Sequence, residues 1–246
     1  MDKLLYVAMS GASQTLLAQA ANNNNLANAN TTGFRADLSA FRAMPVFGPG
    51  APSRVYAMAE RPGTDFSYGS LLSTGRDLDV AVKGEGWIAV QGADGKEGYT
   101  RAGDLHISTA GLLENGAGHL VLGNSGPIAI PPAEKIEIGV DGTLSIQPTG
   151  QSATTLAVVD RIKLVKPPRE DLIKGSDGLM RMKDDSVLPP DAAVGLSSGS
   201  LEASNVNPVE AMVNMISLAR QFEMQVKMMR TSQEDDASAA QILRMS

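Results

Sequence analysis

The sequence predicts an α+β chain: long N- and C-terminal helices pairing as a coiled coil, with an inserted all-β domain and an extended arm. Three observations carry this. Apolar residues recur at steps of three and four near both ends, the period drops to two between them, and Gly and Pro gather where the period changes. The expected division is 1–34 for the N-terminal coiled-coil helix and 35–69 for the arm. It continues with 70–185 for the β domain, 186–204 for a return linker and 205–246 for the C-terminal coiled-coil helix.

The first helix is expected over residues 2 to about 31. Leu5, Met9, Ala12, Leu16, Ala20, Asn23, Ala27 and Asn30 trace a coiled-coil-like seam, which Leu4, Ala8, Leu17 and Leu26 widen. Gly33 is placed to end it in a left-handed cap, with Phe34 where a capping contact is common. The second is expected over 205 to about 243, with Asn207 as N-cap, Pro208 at the first helical position and Glu210 three residues after the cap. Val209, Met212, Ile216, Ala219, Phe222, Val226 and Met229 then alternate steps of three and four. Long amphipathic helices owe most of their stability to packing. Paired with each other, these two still leave apolar stripe over, and neighbouring copies are the natural cover. Met215, Met224 and Met228 lie off the main seam, where a flexible thioether suits a second partner.

Between the helices, "LDVAVKGEGWIAVQ" gives short strand-like runs around a glycine-rich turn at Lys83 to Gly86, read as a hairpin. "ADGKEGYTR", "VDGTL" and "SDGLM" set Asp-Gly pairs between strand-like segments, a strong hairpin signal. "GHLVLG", "IAIPP", "KIEIGV" and "LAVVDRIKLVK" add Val/Ile-rich strands. Pro45, Gly48, Pro49, Gly50, Pro52 and Pro62 mark the arm; Pro189, Pro190 and a Gly/Ser run mark the return linker.

Composition excludes several functions. A net charge of −6 argues against a nucleic-acid binder, and no Lys/Arg cluster exceeds a pair. With no cysteine, there is no disulfide framework, thiolate metal site or Cys nucleophile. The N-terminus lacks the pattern of a cleaved signal peptide, and no apolar run approaches the roughly 18 residues that span a bilayer. Composition alone therefore predicts a soluble, cytoplasmic protein unless another export route exists.

No active site is expected. Asp77, Asp79 and Glu85 are close in sequence, but Asp77 and Asp79 alternate with Leu78 and Val80 and are expected to face solvent. His106 and His119 lack metal-ligand spacing. "GNSGP" at 123–127 is not a nucleophile elbow, and "KGEGWI" lacks the Lys-Ser/Thr of a phosphate loop. No cofactor or metal is implied.

Three ordered motifs resemble a known family. "NNLANANTTGFRAD" (Asn24 to Asp37), "RDLDVAVKGEGWIAVQ" with "GYTRAGDLHIS", and "LEASNVNPVEAMVNMISLARQFEMQVKMM" (Leu201 to Met229) are similar to the signatures of bacterial flagellar axial proteins, the rod and hook group. The opening "MDKLLYVAMSGASQTL" and the length most resemble the proximal-rod members, with distal-rod members the near competitor. "NNNN" stretches the usual asparagine pair, and Trp87-Ile88 stands where other members often have aromatic residues.

The resemblance implies a structural subunit, not an enzyme, assembling with further copies and other rod subunits into a helical tube around an export channel. It implies export through the flagellar type III apparatus to the periplasmic basal body, overruling the cytoplasmic expectation. The assembly interface is assigned to the two seams together with Gly33, Phe34, Asn205 and Asn207. Asn23 and Asn30, seven residues apart, are expected to form an amide ladder that fixes register at some expense of stability. Two rivals remain: a peptidoglycan hydrolase, for which no acid/base pair is evident, and a generic surface filament with coiled-coil ends, which would not need three ordered motifs.

Overall fold

The computed structural model describes residues 4–45, 55–60, 63–148 and 156–245. The expected arm positions Gly48, Pro49, Gly50, Pro52 and Pro62 lie outside them, as do the first residues of the expected N-terminal helix. The architecture is α+β, in two compact units. One comprises Met1–Ala29, Ala36–Asp65 and Val206–Ser246; the other comprises Asn30–Arg35 and Phe66–Asn205.

In the first unit, α1 (Leu4–Ala27) packs against α2 (Pro208–Met245). The residues of α1 that are buried are small: Ala8, Gly11, Ala12, Thr15, Ala18 and Ala21. Their steps of three and four form a stripe displaced from the expected seam, which shares only Ala12 with it. Small side chains let the two backbones approach closely. A Cβ built on Gly11 would lie 2.9 Å from the Gln225 side chain, so Gly11 is the notch that receives Gln225. Thr15 turns its hydroxyl inward, donating to the Gly11 carbonyl at 2.8 Å, so burying it leaves no polar group unmade.

The start of α2 is fixed as expected: the Asn207 side-chain oxygen accepts from the Val209 N–H at 3.0 Å and the Glu210 N–H at 3.4 Å. α1 stops at Ala27, short of the expected 31, so Asn30 lies in a turn and not on a helical seam.

Residues 40–60, expected as part of an extended arm, contain the antiparallel pair Ala40–Pro45 and Val55–Glu60. An isolated two-stranded pair is marginal in water, and α1 supports this one. Gln14 Oε1 accepts from the Ala59 N–H at 2.8 Å, and the Ser10 hydroxyl donates to the Ala57 carbonyl at 3.3 Å.

The second unit is β-rich. Its largest sheet runs Leu172–Lys174, Met180–Met182, Glu97–Thr100, Trp87–Gln91, Leu120–Val121, Leu113–Asn115, Leu105–Ile107, with Leu164–Val165 also pairing onto Trp87–Gln91. Trp87–Gln91 is the pivot because both its faces are covered. Ile88 and Val90 join a large aliphatic core with Val80, Leu105 and Leu196, whereas Trp87 and Ala89 join a smaller one with Tyr99, Met180 and Met182. Ala133–Ile138, Thr143–Pro148 and Ala157–Arg161 form a three-stranded sheet.

All three Asp-Gly pairs turn hairpins, with Gly95, Gly142 and Gly178 at φ of 78°, 85° and 81°. The "KGEGWI" turn is not a hairpin. Val80–Lys83 pairs with Gly195–Ser198, near the far end of the chain, so the strands on either side of the turn belong to different sheets. Three consecutive residues of that strand, Val80, Ala81 and Val82, are buried, which is incompatible with a solvated hairpin face.

Candidate functional site: helix faces and a buried charge clasp

Two features merit the name of site. The first is the outer surface of the helix pair. Of the expected seam, Met9 and Leu16 on α1 and Val209, Met212 and Ile216 on α2 are exposed, Val209 to 68%. Leu5, Leu26, Phe222, Val226 and Met229 are half-buried, and Ala27 is exposed. Tyr6, Leu17, Val213, Met224 and Met228 extend the exposed apolar surface. Val213, Ile216, Arg220 and Met224 line a shallow groove along α2. Single exposed apolar residues are ordinary, but stripes of this length on both helices make these faces the candidate interaction surface.

The asparagines divide between two tasks. Asn25 makes a reciprocal pair with the Asp37 backbone: its amide donates to the Asp37 carbonyl at 2.8 Å and its oxygen accepts from the Asp37 N–H at 2.9 Å. Asn22 donates to the Ala211 carbonyl at 2.8 Å, fastening α1 to the start of α2. Asn28 donates to the Asn24 carbonyl at the end of α1. Asn23 and Asn30, the positions of the expected ladder, are exposed.

The second feature has no signal in local periodicity. Arg35, Arg101 and Glu202 meet in the β-rich unit at 3%, 3% and 1% exposure. Arg35 Nη2 donates to Glu202 Oε1 at 2.5 Å, and the Gly69 N–H reaches the same oxygen at 3.1 Å. Arg101 Nε lies 2.8 Å from Glu202 Oε2, an ion pair whose angle falls outside hydrogen-bond geometry. Arg101 Nη2 is held by the Val82 and Gly84 carbonyls at 2.9 and 2.8 Å. The Tyr68 ring lies 4.9 Å from the Arg101 guanidinium carbon and 6.0 Å from that of Arg35.

Burial pulls the Arg101 guanidinium below its usual value; the Glu202 charge opposes this and the Arg35 charge adds to it. Two cations thus share one carboxylate. The backbone closes the same clasp. The Gly33 N–H donates to the Glu202 carbonyl at 2.8 Å and the Asn205 N–H to the Phe34 carbonyl at 3.3 Å. Lys174 Nζ donates to the Arg35 carbonyl at 2.7 Å and sits 4.0 Å from the Phe34 ring centre. Asn205 also donates to Ser67.

Gly33 does adopt a left-handed conformation, φ 66°, but well past the end of α1. Its work is close approach: a Cβ there would lie 2.3 Å from the Arg101 carbonyl carbon. Each of the three sequence motifs supplies one charged member of the clasp. The signal available in the sequence was a charged residue set among small and turn-forming neighbours in each motif.

Asp77, Asp79 and Glu85 have separate surroundings. Asp79, expected to face solvent, is 3% exposed; it is bridged to Asp104, and Arg76 lies 3.6 Å away. The strand alternation misleads there because residue 79 opens a segment buried from both sides. Asp77 is exposed, and Glu85 is occupied by Lys166 and Arg169 at 3.1 and 3.0 Å. His106 lies 3.8 Å from Glu114, and the described residues contain no His/Cys/Asp/Glu group able to hold a metal ion.

Comparison with known proteins agrees with this layout. Residues 5–35 match the family described as flagella basal body rod protein, 81–146 the flagellar hook protein FlgE/F/G D1 domain, and 197–242 the flagellar basal body rod FlgEFG protein C-terminal family. The chain is 46% identical to the flagellar basal-body rod protein FlgF of Escherichia coli K12 over 252 residues, covering all of both chains. It is 45% identical to that of Salmonella typhimurium LT2, again over the whole of both chains. With FlgG of Bacillus subtilis the identity is 32% over 261 residues, covering 95% of this chain and 96% of that one. Arg35 lies inside the first match, Arg101 inside the second and Glu202 inside the third, and the chain belongs to the flagellar basal-body rod protein family.

Proposed function

We propose that the protein is a structural subunit of the bacterial flagellar rod, in its proximal part, and that it joins further copies and neighbouring rod subunits in a helical tube around the export channel. The observation that carries this is the pair of exposed apolar stripes on α1 and α2, in a chain with full-length identity to rod proteins. Within the chain α1 and α2 meet through small residues, so the larger seam residues Met9, Leu16, Met212 and Ile216 stay available to neighbours. Coiled-coil contacts then form in the assembled tube, and the assembly interface comprises these seams with Asn23, Asn30, Phe34, Asn205 and Asn207, whereas Gly33, expected among them, is buried within the chain. The contact is head to tail and non-closing, the geometry that gives filaments.

The division into terminal helices and a β-rich unit, which takes in the strands of the expected return linker, serves the same reading. The protein acts mechanically, transmitting torque, and has no catalytic role. It reaches the periplasmic basal body through the flagellar type III apparatus. A distal-rod or hook-type position is the second reading, favoured by the match of residues 81–146 to a family whose description names a hook protein.

The test is an in-frame deletion scored by electron microscopy of basal bodies. Basal bodies halted at an incomplete rod, without hook, are expected, and the halted length separates proximal from distal. Complete rods with normal hooks would overturn the assignment.

A further inference from the structure

We propose that Glu202 makes the charge clasp a coincidence latch: the segment carrying Gly33 and Arg35 locks onto the β domain only when residues 200–203, near the other end of the chain, have docked. Five observations carry it.

Glu202 is the one carboxylate paired with either Arg35 or Arg101 among the described residues, so without it two guanidiniums would face the same Tyr68 ring with no counter-charge. Unpaired buried charges are strongly disfavoured, and an incomplete chain keeps both arginines solvated and the site open. Glu202 also closes the backbone on both sides. Its carbonyl accepts from Gly33, and its carboxylate from Gly69. The strand that carries it, Ser200–Glu202, follows Gly195–Ser198 across Gly199 and, among the described residues, pairs with Leu71–Ser73, all three of whose residues are exposed. So short a pair is marginal by itself; its start is held at Gly199 by the Thr74 and Gly75 N–H groups, and the clasp charges fix its far end at Glu202. Arg35 and Glu202 are 167 residues apart, the separation a coincidence device requires. Arg101 already has its two carbonyl partners from nearby sequence, so Glu202 is what remains to arrive.

The inference concerns the β-rich unit alone and is independent of the rod assignment. It is tested on the full-length protein by pulse-labelled hydrogen exchange during refolding from urea. In the wild type, the Gly33, Gly69 and Ala203 amides should gain protection together, in a phase later than Ala89 and Leu122 in the central sheet. In Glu202→Gln, Ala89 and Leu122 should keep their rates while the later phase is lost or slowed by about tenfold or more. Protection of Gly33 or Gly69 ahead of Ala203 in the wild type would overturn the latch. So would wild-type timing of all three in the variant. The wild-type order alone decides the matter if Glu202→Gln does not refold.

Discussion

Gly33→Ala and Gly84→Ala form a matched pair that isolates the close approach on which the clasp depends. Both glycines have φ of 66°. An alanine in the left-handed region costs about 1 kcal/mol, partly offset by its lower entropy in the unfolded chain. At Gly84 that is the whole effect, because a Cβ there meets nothing within 4 Å. At Gly33 the added carbon lies 2.3 Å from the Arg101 carbonyl carbon, 2.4 Å from the Ala102 nitrogen and 2.5 Å from the Arg101 oxygen. These are backbone atoms and cannot swing aside. Reaching the 3.0 Å that real contacts respect means opening the site by 3.0 − 2.3, about 0.7 Å.

That displacement costs about 1–3 kcal/mol by overpacking and loosens the bonds Gly33 and Arg35 make to Glu202. The expected total is about 3 kcal/mol or more for Gly33→Ala, against about 1 kcal/mol or less for Gly84→Ala. Urea titration followed by tryptophan fluorescence measures both. The chain has a single tryptophan, Trp87, whose ring lies 5.8 Å from the Arg101 guanidinium carbon. Equal destabilisation of the two variants at equal slope would refute the close packing of the 33–35 segment on residues 101–102.

Three further predictions follow from single sites. Asn25→Ala removes both bonds to the Asp37 backbone and should destabilise by about 1–3 kcal/mol, with faster exchange of the Asp37 amide; an unchanged exchange rate would show the pair to be unimportant. Burial, with the nearby Asp79 charge adding to it, raises the Asp104 carboxyl above its usual 3.8. Folding thus favours the protonated form: its stabilisation is complete below pH 3.8 and is lost as pH rises through the raised value. The Tm of Asp104→Asn relative to wild type should therefore climb as pH increases from 3.8 through the raised value and level off beyond it; a flat difference from pH 3 to 7 would contradict the assignment. Asn23→Leu should raise the helicity of α1 yet impair swimming if the exposed Asn23 amide sets register in the assembly; unchanged motility would remove that role.

Punctuation and period were legible in the sequence; partners were not. The Asp-Gly hairpins and the Asn207 cap follow from local chemistry, since a turn needing positive φ or an N-terminus needing an acceptor admits few residue types. The helices too were legible, but not which stripe each turns inward. Apolar spacing weights large side chains, whereas the face buried within the chain is Ala, Gly and Thr, chosen for closeness. The same weighting hid the clasp, because Arg35, Arg101 and Glu202 are joined by pairing across most of the chain and leave no local period. Asp79 departs from expectation for a related reason: alternation reports a half-buried strand, and this position leads into the fully buried run Val80, Ala81 and Val82.

On the proposed function, the outward helix faces serve assembly and not the fold of the single chain. Ile216 and Met224 line the groove on α2 and are 52% and 61% exposed. The most direct measurement is electron microscopy of basal bodies from cells whose only copy carries Ile216→Glu and Met224→Glu, beside circular dichroism and urea titration of the purified variant. The account predicts wild-type spectra and an unfolding midpoint close to wild type, with basal bodies that stop short of a complete rod. Complete rods bearing hooks and filaments, built from that variant, would contradict it.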